Sequence, residues 1–242
     1  MKEITLFEYK FANLTYEEVF QAIEVLLNKP AFHYFVTLNP EILLSAKKDE
    51  HLDQIIRAAD FVFADGIGIV LGAYLMSRQK IKKVTGSDLT IKLFEKNKYS
   101  FYLIGSKPEI IKRANEQLQE MYPGSKVLGV RDGYFNQSQE AVIIKEIKNL
   151  KPDFILVGLG SPKQDYFLSE LNRVLTYGIG IGIGGVFDVL SGEKKRSPEF
   201  LQKIGLEWVY RGLIEPKRMK RWVFIPKYFW FLIKSFFVAY RQ

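Results

Sequence analysis

The sequence lacks cysteine and is poor in histidine, with two in 242 residues. Without thiols the chain can form no disulfide, no thiolate metal site and no cysteine nucleophile, and two histidines leave little for a zinc centre. No acidic D-x-D triplet follows any of its apolar runs. We therefore expect a function that uses neither a bound metal ion nor a cofactor.

The start of the chain does not show the pattern of a secretory leader. The segment from Met1 to Lys10 mixes acidic and basic residues, and no apolar stretch follows a basic start. This arrangement is unlike a signal peptide. We expect a cytoplasmic chain.

Acidic residues are absent from the C-terminal segment. From Pro216 to Gln242 there are seven basic residues and no acidic one, so this stretch carries +7 of the net charge of +8. It also contains nine aromatic residues, among them Trp222 and Trp230. A basic, aromatic tail fits an anionic membrane surface better than a nucleic acid, which would attract charge spread over the body. We expect peripheral attachment to the inner face of the plasma membrane and no nucleic-acid partner.

The same tail is poorly suited to crossing a bilayer. Lys227 and Lys234 interrupt the apolar stretch from Trp222 to Tyr240, and a spanning helix of about 20 residues tolerates few charges. Pro226 is expected to break a helix near its start. The tail is thus predicted to lie on the membrane; packing of its aromatic residues on the core or on another subunit of a homo-oligomer is the alternative.

Short apolar runs that end abruptly in Gly, Asp, Asn or Arg recur through the rest of the chain. The runs are 35–38, 61–64, 101–104, 126–130, 154–157 and 178–183. Before the first run, the capping box of Thr15 and Glu18 predicts a helix. Runs without polar alternation, separated by helical spacing, indicate a mostly parallel, Rossmann-like α/β sheet flanked by helices. We predict a catalytic domain over residues 1–195 and a basic, aromatic, helical C-terminal appendage over 196–242.

The most informative turn is the segment from Gly158 to Asp165, which follows a buried run. Ser161 and Pro162 are suited to the N-cap and first turn of a helix, whose N–H groups attract anions. Gly158 and Gly160 allow close approach of a diphosphate, with Lys163 and Gln164 as side-chain donors. An ordinary strand-to-helix turn explains the glycines equally well.

A second glycine-rich segment, 180–185, formally matches the dinucleotide-binding pattern. The match is weak because it occurs late in the chain and lacks a suitably placed acidic residue after it. Gly184 and Gly185, followed by Asp188 at a helix start, are as consistent with tight packing as with ligand binding.

Three carboxylates directly follow apolar runs, at Asp65, Asp132 and Asp188. A carboxylate there could act as a general base, but Asp is also common in turns, and position alone does not choose among the three. Thr37 and Asn39 flank the end of another run and could bind hydroxyl or phosphate groups, or form a turn.

Seven segments in order carry a resemblance to a known family. They are Thr37-Leu-Asn-Pro, Ala64-Asp-Gly-Ile-Gly, Val84-Thr-Gly-Ser-Asp, Asp132-Gly-Tyr-Phe, Gly158-Leu-Gly-Ser-Pro-Lys-Gln, Gly184-Gly-Val-Phe-Asp with Ser191-Gly192, and Gly205-Leu-Glu-Trp-Val-Tyr-Arg. Together they resemble the WecG/TagA/CpsF glycosyltransferases, glycosyltransferase family 26, as far as about Arg221. The resemblance implies an inverting, metal-independent transferase that acts on a polyprenyl-diphosphate-linked sugar.

The resemblance also assigns roles to residues. It implies Asp65 as the base, with Thr37 and Asn39 beside it, and Gln164 in the donor pocket. The C-terminal arginines that it implies close over the diphosphate are Arg211, Arg218 and Arg221. Two departures concern donor binding. Lys83 stands where the family usually has Arg, so the bidentate hydrogen bonding of a guanidinium group is lost. Asp165 stands where Glu usually follows Gln.

The leading hypothesis is therefore transfer of N-acetylmannosamine or a related sugar from a UDP-sugar to a polyprenyl-diphosphate-linked acceptor in cell-wall or surface polysaccharide synthesis. One alternative is a nicotinamide-dependent oxidoreductase built on the glycine-rich segment. Another is a non-catalytic, membrane-associated nucleotide-binding protein.

Overall fold

The computed structural model of the chain describes residues 2–203, 205–214 and 220–239. The strands are β1 (Glu3–Leu6), β2 (Tyr9–Ala12), β3 (His33–Leu38), β4 (Phe61–Ala64), β5 (Ser100–Gly105), β6 (Lys126–Arg131), β7 (Phe154–Gly158) and β8 (Ile179–Gly182). The first eight helices are α1 (Tyr16–Leu27), α2 (Pro40–Ala46), α3 (Glu50–Ala58), α4 (Ile67–Ser77), α5 (Gly86–Glu95), α6 (Pro108–Met121), α7 (Gln137–Leu150) and α8 (Lys163–Val174). They are followed by α9 (Val186–Leu190), α10 (Glu199–Lys203), α11 (Glu207–Ile214), a 3₁₀ turn (Lys220–Val223) and α12 (Phe224–Ala239).

One eight-stranded sheet organises the fold, in the order β1-β2-β4-β3-β8-β7-β5-β6. Only β1 and β2 pair antiparallel, and the other pairings are parallel. Each crossover between parallel strands contains at least one helix, as this connection requires. The predicted α/β class and the mostly parallel sheet are confirmed.

The sheet is buried on both faces. In β3 every residue is buried, with Tyr34 and Val36 in one apolar layer and Phe35 in the other. The first layer is completed by side chains of α2, α3, α4, α7, α8 and α12, and the second by α1, α5, α6 and α9. This double covering explains why the strand sequences are apolar without alternation.

The register brings the carboxyl ends of the strands to one edge. Leu38 lies opposite Ala64, Val157 opposite Gly182, and Gly105 opposite Gly158. The residues that follow these strands therefore begin their loops at the same level. Ligands of such sheets bind beyond this edge.

The hairpin β1–β2 was missing from the sequence prediction. Tyr9 and Phe11 are buried while Lys10 between them is exposed, which is the alternation of a strand covered on one face. The turn places Phe7 and Glu8 at positive φ, 52° and 69°, without a glycine that would have marked it. The hairpin strands contain no continuous apolar run of the kind that marks the buried parallel strands.

The C-terminal helix contradicts one expectation. Pro226 is the third residue of α12, where it does not break the helix. The first N–H groups of a helix have no partner within the helix, so proline is tolerated in the first turn. Among the described residues, no helix is both long and apolar enough to cross a membrane.

Candidate functional site at the carboxyl edge of the sheet

The end of β3 and the loops after β3 and β4 bring Thr37, Asn39 and Asp65 to one end of the carboxyl edge. The Asp65 backbone N–H donates to the Leu38 carbonyl at 2.9 Å, which joins the two loops directly. The Thr37 hydroxyl donates to the Gly182 carbonyl of β8 at 3.2 Å. The Asn39 side chain caps α2 by accepting from the Ile42 N–H at 3.0 Å. Asn39 and Thr37 thus have structural contacts whatever else they bind.

Lys83 supplies a cation at the same end. Its backbone forms a parallel bridge with Ala64, and the following N–H, of Val84, donates to the Ala64 carbonyl at 3.1 Å. The Lys83 ammonium donates to the Gln202 carbonyl at 3.0 Å. Lys83, which pairs with the residue before Asp65, is therefore hydrogen-bonded to the segment that begins the predicted appendage.

The turn from β7 to α8 differs from its predicted geometry. The helix begins at Lys163, and Pro162 occupies the cap position without a side-chain hydrogen bond. Ser161 is one residue too early to cap it, and its hydroxyl is buried without a hydrogen-bond partner among the described residues. The N-cap role predicted for Ser161 is wrong, although α8 does start at this edge.

The two glycines of this turn are required for different reasons. A Cβ on Gly158 would lie 2.7 Å from the Phe187 ring and 2.9 Å from the Gly184 carbonyl, so only glycine permits this packing. Gly160 has φ +75°, which favours glycine, and a Cβ there would meet nothing within 4 Å. Close protein packing thus accounts for Gly158, whereas the backbone at Gly160 faces open space.

Gln164 links this turn to the glycine-rich segment after β8. It is buried, and its side-chain oxygen accepts from the Gly184 N–H at 3.0 Å. Gly185 then precedes α9, which carries Asp188 in its first turn. The structure therefore brings Gly158, Gln164 and Gly184 close together, and their role in donor binding stays a prediction.

The other end of the edge holds Asp188 and Asp132. Asp188 accepts from the Ser106 hydroxyl at 2.7 Å and pairs with Lys194 at 2.6 Å. Asp132 accepts from the Tyr134 N–H at 2.8 Å within its own turn. Since β6 lies five strands from β4, Asp132 and Asp65 are roughly 24 Å apart at about 4.8 Å per strand. These carboxylates cannot serve the same reacting atom.

Comparison with known proteins decides the family. The glycosyl transferase WecG/TagA/CpsF family matches residues 4–242. The chain belongs to this family. It is a glycosyltransferase, and the nicotinamide-dependent alternative is thereby set aside.

Individual relatives agree with the family. The chain is 34% identical over 204 residues to an N-acetylglucosaminyldiphosphoundecaprenol N-acetyl-beta-D-mannosaminyltransferase of Bacillus spizizenii, covering 83% of this chain and 78% of that one. A protein of the same name from Bacillus subtilis is 34% identical over 195 residues, covering 79% and 75%. A third, from Staphylococcus aureus, is 32% identical over 205 residues, covering 84% and 80%.

Sequence reasoning missed the ion pairs that fix the segment after α9 in this glycosyltransferase. Arg196 pairs with Asp88 of α5, and Lys194 pairs with Asp188 of α9. We call residues 191–203 the strap, because these contacts and the Lys83–Gln202 bond attach it from one end of the carboxyl edge to the other. The basic run from Lys194 to Arg196 was the available signal, but its partners lie far away in the sequence.

The strap reaches the Asp65 end through Tyr16. The Tyr16 hydroxyl donates to Asp88 at 3.5 Å. Burial raises the pKa of Tyr16 well above its ordinary value, and the charges of Asp88 and, more weakly, Asp65 add to the effect. A neutral phenol therefore lies within electrostatic range of both carboxylates.

The three C-terminal arginines are only partly described. Arg211 lies in α11 and Arg221 in the 3₁₀ turn, with side chains outside the described part, and Arg218 lies outside the described residues altogether. Their predicted contact with a diphosphate stays a prediction. Among the side chains that are described, no group of three or more acidic or histidine residues is placed to hold a metal ion.

Proposed function

We propose that the chain transfers N-acetylmannosamine, or a closely related sugar, from a UDP-sugar to a polyprenyl-diphosphate-linked sugar in cell-wall or surface polysaccharide synthesis. The observation that carries this proposal is the similarity to three N-acetylmannosaminyltransferases over three quarters or more of each chain. The grouping of Asp65, Thr37 and Lys83 at one end of the sheet supports a reaction centre there.

Asp65 is the general base of the proposed reaction. Its carboxylate accepts the proton of the acceptor hydroxyl while that oxygen forms a bond to the anomeric carbon of the donor. The bond from the anomeric carbon to the diphosphate oxygen breaks in the same step, and its electron pair leaves with UDP. Attack opposite the leaving group inverts the anomeric centre. Asp65 is half-buried in the short loop that leads into α4, a position that is compatible with access by a hydroxyl group.

The leaving diphosphate is stabilised without a metal ion in this proposal. The Cβ position of Gly160 faces open space, and the backbone N–H groups of this turn, together with the positive end of α8, suit an anion. Lys83 adds a cation at the same end of the carboxyl edge as Asp65. Arg211, Arg218 and Arg221 are assigned to the same diphosphate. Gly184, Gly185, Asp188 and Asp132 are assigned to the more distant parts of the donor, with Gln164 holding the pocket together.

Residues 196–242 are proposed to complete the site and to dock on anionic lipid. One face of α12 packs on the body: Tyr228 and Leu232 are buried, and the Tyr228 hydroxyl donates to the Gly68 carbonyl at 2.9 Å. The opposite face is exposed and includes Trp230, Phe237 and the cation of Lys234. Rings beside lysines suit the bilayer interface. Packing on the core thus describes one face of the helix, and membrane docking is proposed for the other.

The helix α4 adds an apolar surface next to α12. Its exposed residues Ile67, Leu71, Tyr74 and Leu75 recur at helical spacing. This helix begins one residue after Gly66, so a membrane contact along it would bring the lipid-linked acceptor toward Asp65. The proposed location is the inner face of the plasma membrane.

A donor panel tests the proposed reaction. The purified chain is offered UDP-sugars with a short-chain lipid-diphosphate N-acetylglucosamine acceptor in excess EDTA, and the products are separated by mass. A disaccharide formed from UDP-N-acetylmannosamine or a close relative is expected. Strict dependence on added Mg²⁺ or Mn²⁺ would contradict metal independence, and no transfer from any UDP-sugar would contradict the proposed donor class.

Vesicle binding tests the docking surface. Deleting α12 would also remove the buried Tyr228 and Leu232, so the variant Trp230→Ser/Phe237→Ser, which changes the exposed face alone, is preferable. It should bind anionic vesicles at least about tenfold more weakly than the wild type, and salt should weaken wild-type binding. Val25→Ser, at an exposed position of α1, serves as the control. Equal binding by the double variant would contradict the assigned surface.

A further inference from the structure

Asp165 is a carboxylate buried in the first turn of α8, with a relative exposure of 1%. Neither of its oxygens has a partner in hydrogen-bond geometry among the described residues. A buried, unpaired carboxylate is costly, and native proteins pair almost all such groups. Its burial raises the pKa of Asp165 to about 6, which reflects this cost. The role assigned to Asp65 does not involve this group.

A complementary group in the same turn is the Ser161 hydroxyl, four residues before Asp165 in the sequence. It is also buried and also lacks a partner in hydrogen-bond geometry. Ser161 is nevertheless close enough to lower the pKa of Asp165, against the larger effect of burial. A hydroxyl can donate and a carboxylate can accept, so one hydrogen bond between them satisfies both groups.

Contacts before and after Ser161 hold the rest of the turn between β7 and α8 in place. Gly158 packs against Phe187, and Gln164 accepts from the Gly184 N–H. Ser161 lies between those two fixed points, next to Gly160, whose backbone faces open space. The position of Ser161 therefore sets the direction in which the N–H groups of the turn point.

We propose that Asp165 is a positioning residue for the donor site: it accepts a hydrogen bond from the Ser161 hydroxyl and so holds the turn from Gly158 to Ser161 in the shape that receives the donor diphosphate. This inference rests on the proposed function. Asp165 is too deeply buried to touch the donor, and its negative charge would repel a diphosphate. Its contribution comes through the placement of Ser161.

A double-mutant cycle tests the pair. Donor dissociation constants are measured by calorimetry with the UDP-sugar that the wild type turns over, and kcat is measured alongside, for Asp165→Ala, Ser161→Ala and the double variant. Each single variant should weaken donor binding about tenfold, as expected for loss of one hydrogen bond to a charged group, with kcat nearly unchanged. The double variant should bind no more weakly than either single one. Asp165→Asn keeps an acceptor oxygen and should bind within about threefold of the wild type.

The outcomes separate this inference from the proposed function. If the wild type binds no UDP-sugar, both are wrong. If the wild type binds but the two alanine substitutions act additively, or Asp165→Asn is as weak as Asp165→Ala, the positioning role is wrong. Should Asp165→Ala fail to fold, Ser161→Ala decides alone, because unchanged donor affinity in that variant would overturn the proposal.

Discussion

The two ends of the carboxyl edge use the same residue type differently. At the β5–β6 end, Asp188 joins Ser106 to Lys194, and Asp132 accepts from a backbone N–H in its own turn. At the β3–β4 end, Asp65 directly follows Ala64, whose backbone pairs with that of Lys83, and the Asp65 N–H donates to the Leu38 carbonyl at the end of β3. A position just after a strand is therefore shared by carboxylates that hold loops together and by the candidate base, and position alone does not tell them apart.

The largest expected effect separates these two ends by substitution. Asp65→Asn removes the proposed base and should lower turnover by about 10²-fold or more, with donor affinity close to that of the wild type. Asp132 is assigned to donor binding and not to the proton transfer. Asp132→Asn, which keeps the oxygen that accepts from the Tyr134 N–H, can therefore change donor affinity but should lower turnover at saturating donor by no more than about threefold. Steady-state kinetics with calorimetric donor affinity makes the comparison. Equal losses in both variants would remove the distinction.

Lys83 is expected to give the next largest effect. Lys83→Gln removes the cation proposed to bind the diphosphate and should weaken donor binding and turnover together by about tenfold, whereas Lys83→Arg should retain both. Lys82→Gln is a matched control, because Lys82 is exposed and pairs with the surface residue Glu18 at 3.4 Å. A loss in Lys82→Gln as large as in Lys83→Gln would indicate a general charge effect instead.

The strap should give a smaller effect on turnover. Asp88→Asn weakens the ion pair with Arg196, which should free the strap from α5 and lower turnover about threefold. Limited proteolysis should show faster cleavage within residues 191–203. Glu170→Gln, which breaks the exposed pair between Glu170 and Arg173 within α8, is the control. Unchanged cleavage in Asp88→Asn would show that the strap is held by other contacts.

The smallest effect on activity, but a clear one on stability, is expected from Asp165→Asn. The folded state raises the pKa of Asp165 from 3.8 to about 6, so it binds the proton more tightly than the unfolded chain does. The contribution of this group to the free energy of unfolding is therefore fully present below pH 3.8 and is lost as pH rises through 6. Removing the charge should stabilise the protein by up to about 3 kcal/mol at neutral pH.

Denaturant unfolding at several pH values measures this difference. Carboxylates with lowered pKa values, such as Asp49 and Asp53, act in the opposite direction in both proteins. The informative quantity is the gap between wild type and Asp165→Asn, which should open between pH 4 and 6. A constant gap over this range would contradict the buried charge.

Much of the fold was predictable because the parallel strands are covered on both faces. Runs such as Phe35 to Leu38 and Phe154 to Val157 had to be apolar throughout, and their ends marked the carboxyl edge. The hairpin β1–β2 was not predicted because its strands alternate between buried and exposed residues and its turn contains no glycine. Pro226 was misjudged because a proline at a helix start cannot be distinguished from a break until the start is known.

The sequence names the residues of the candidate site, whose roles stay predictions, but it does not give their contacts. Strand ends and the family resemblance pointed to Asp65, Thr37 and Gln164. The pairing of Arg196 with Asp88 joins residues 108 positions apart, and no local pattern encodes it. The cap assigned to Ser161 failed because α8 starts one residue later than the sequence indicated.

Loss of activity in Asp65→Asn cannot by itself distinguish a base from a nucleophile, because a carboxylate beside the anomeric carbon can take either role. The anomeric configuration of the product can. A single displacement by the acceptor hydroxyl, with Asp65 as base, predicts that the transferred sugar has the opposite configuration to the donor when the isolated product is examined by NMR. Retained configuration would require two displacements through a covalent intermediate and would contradict the role proposed for Asp65.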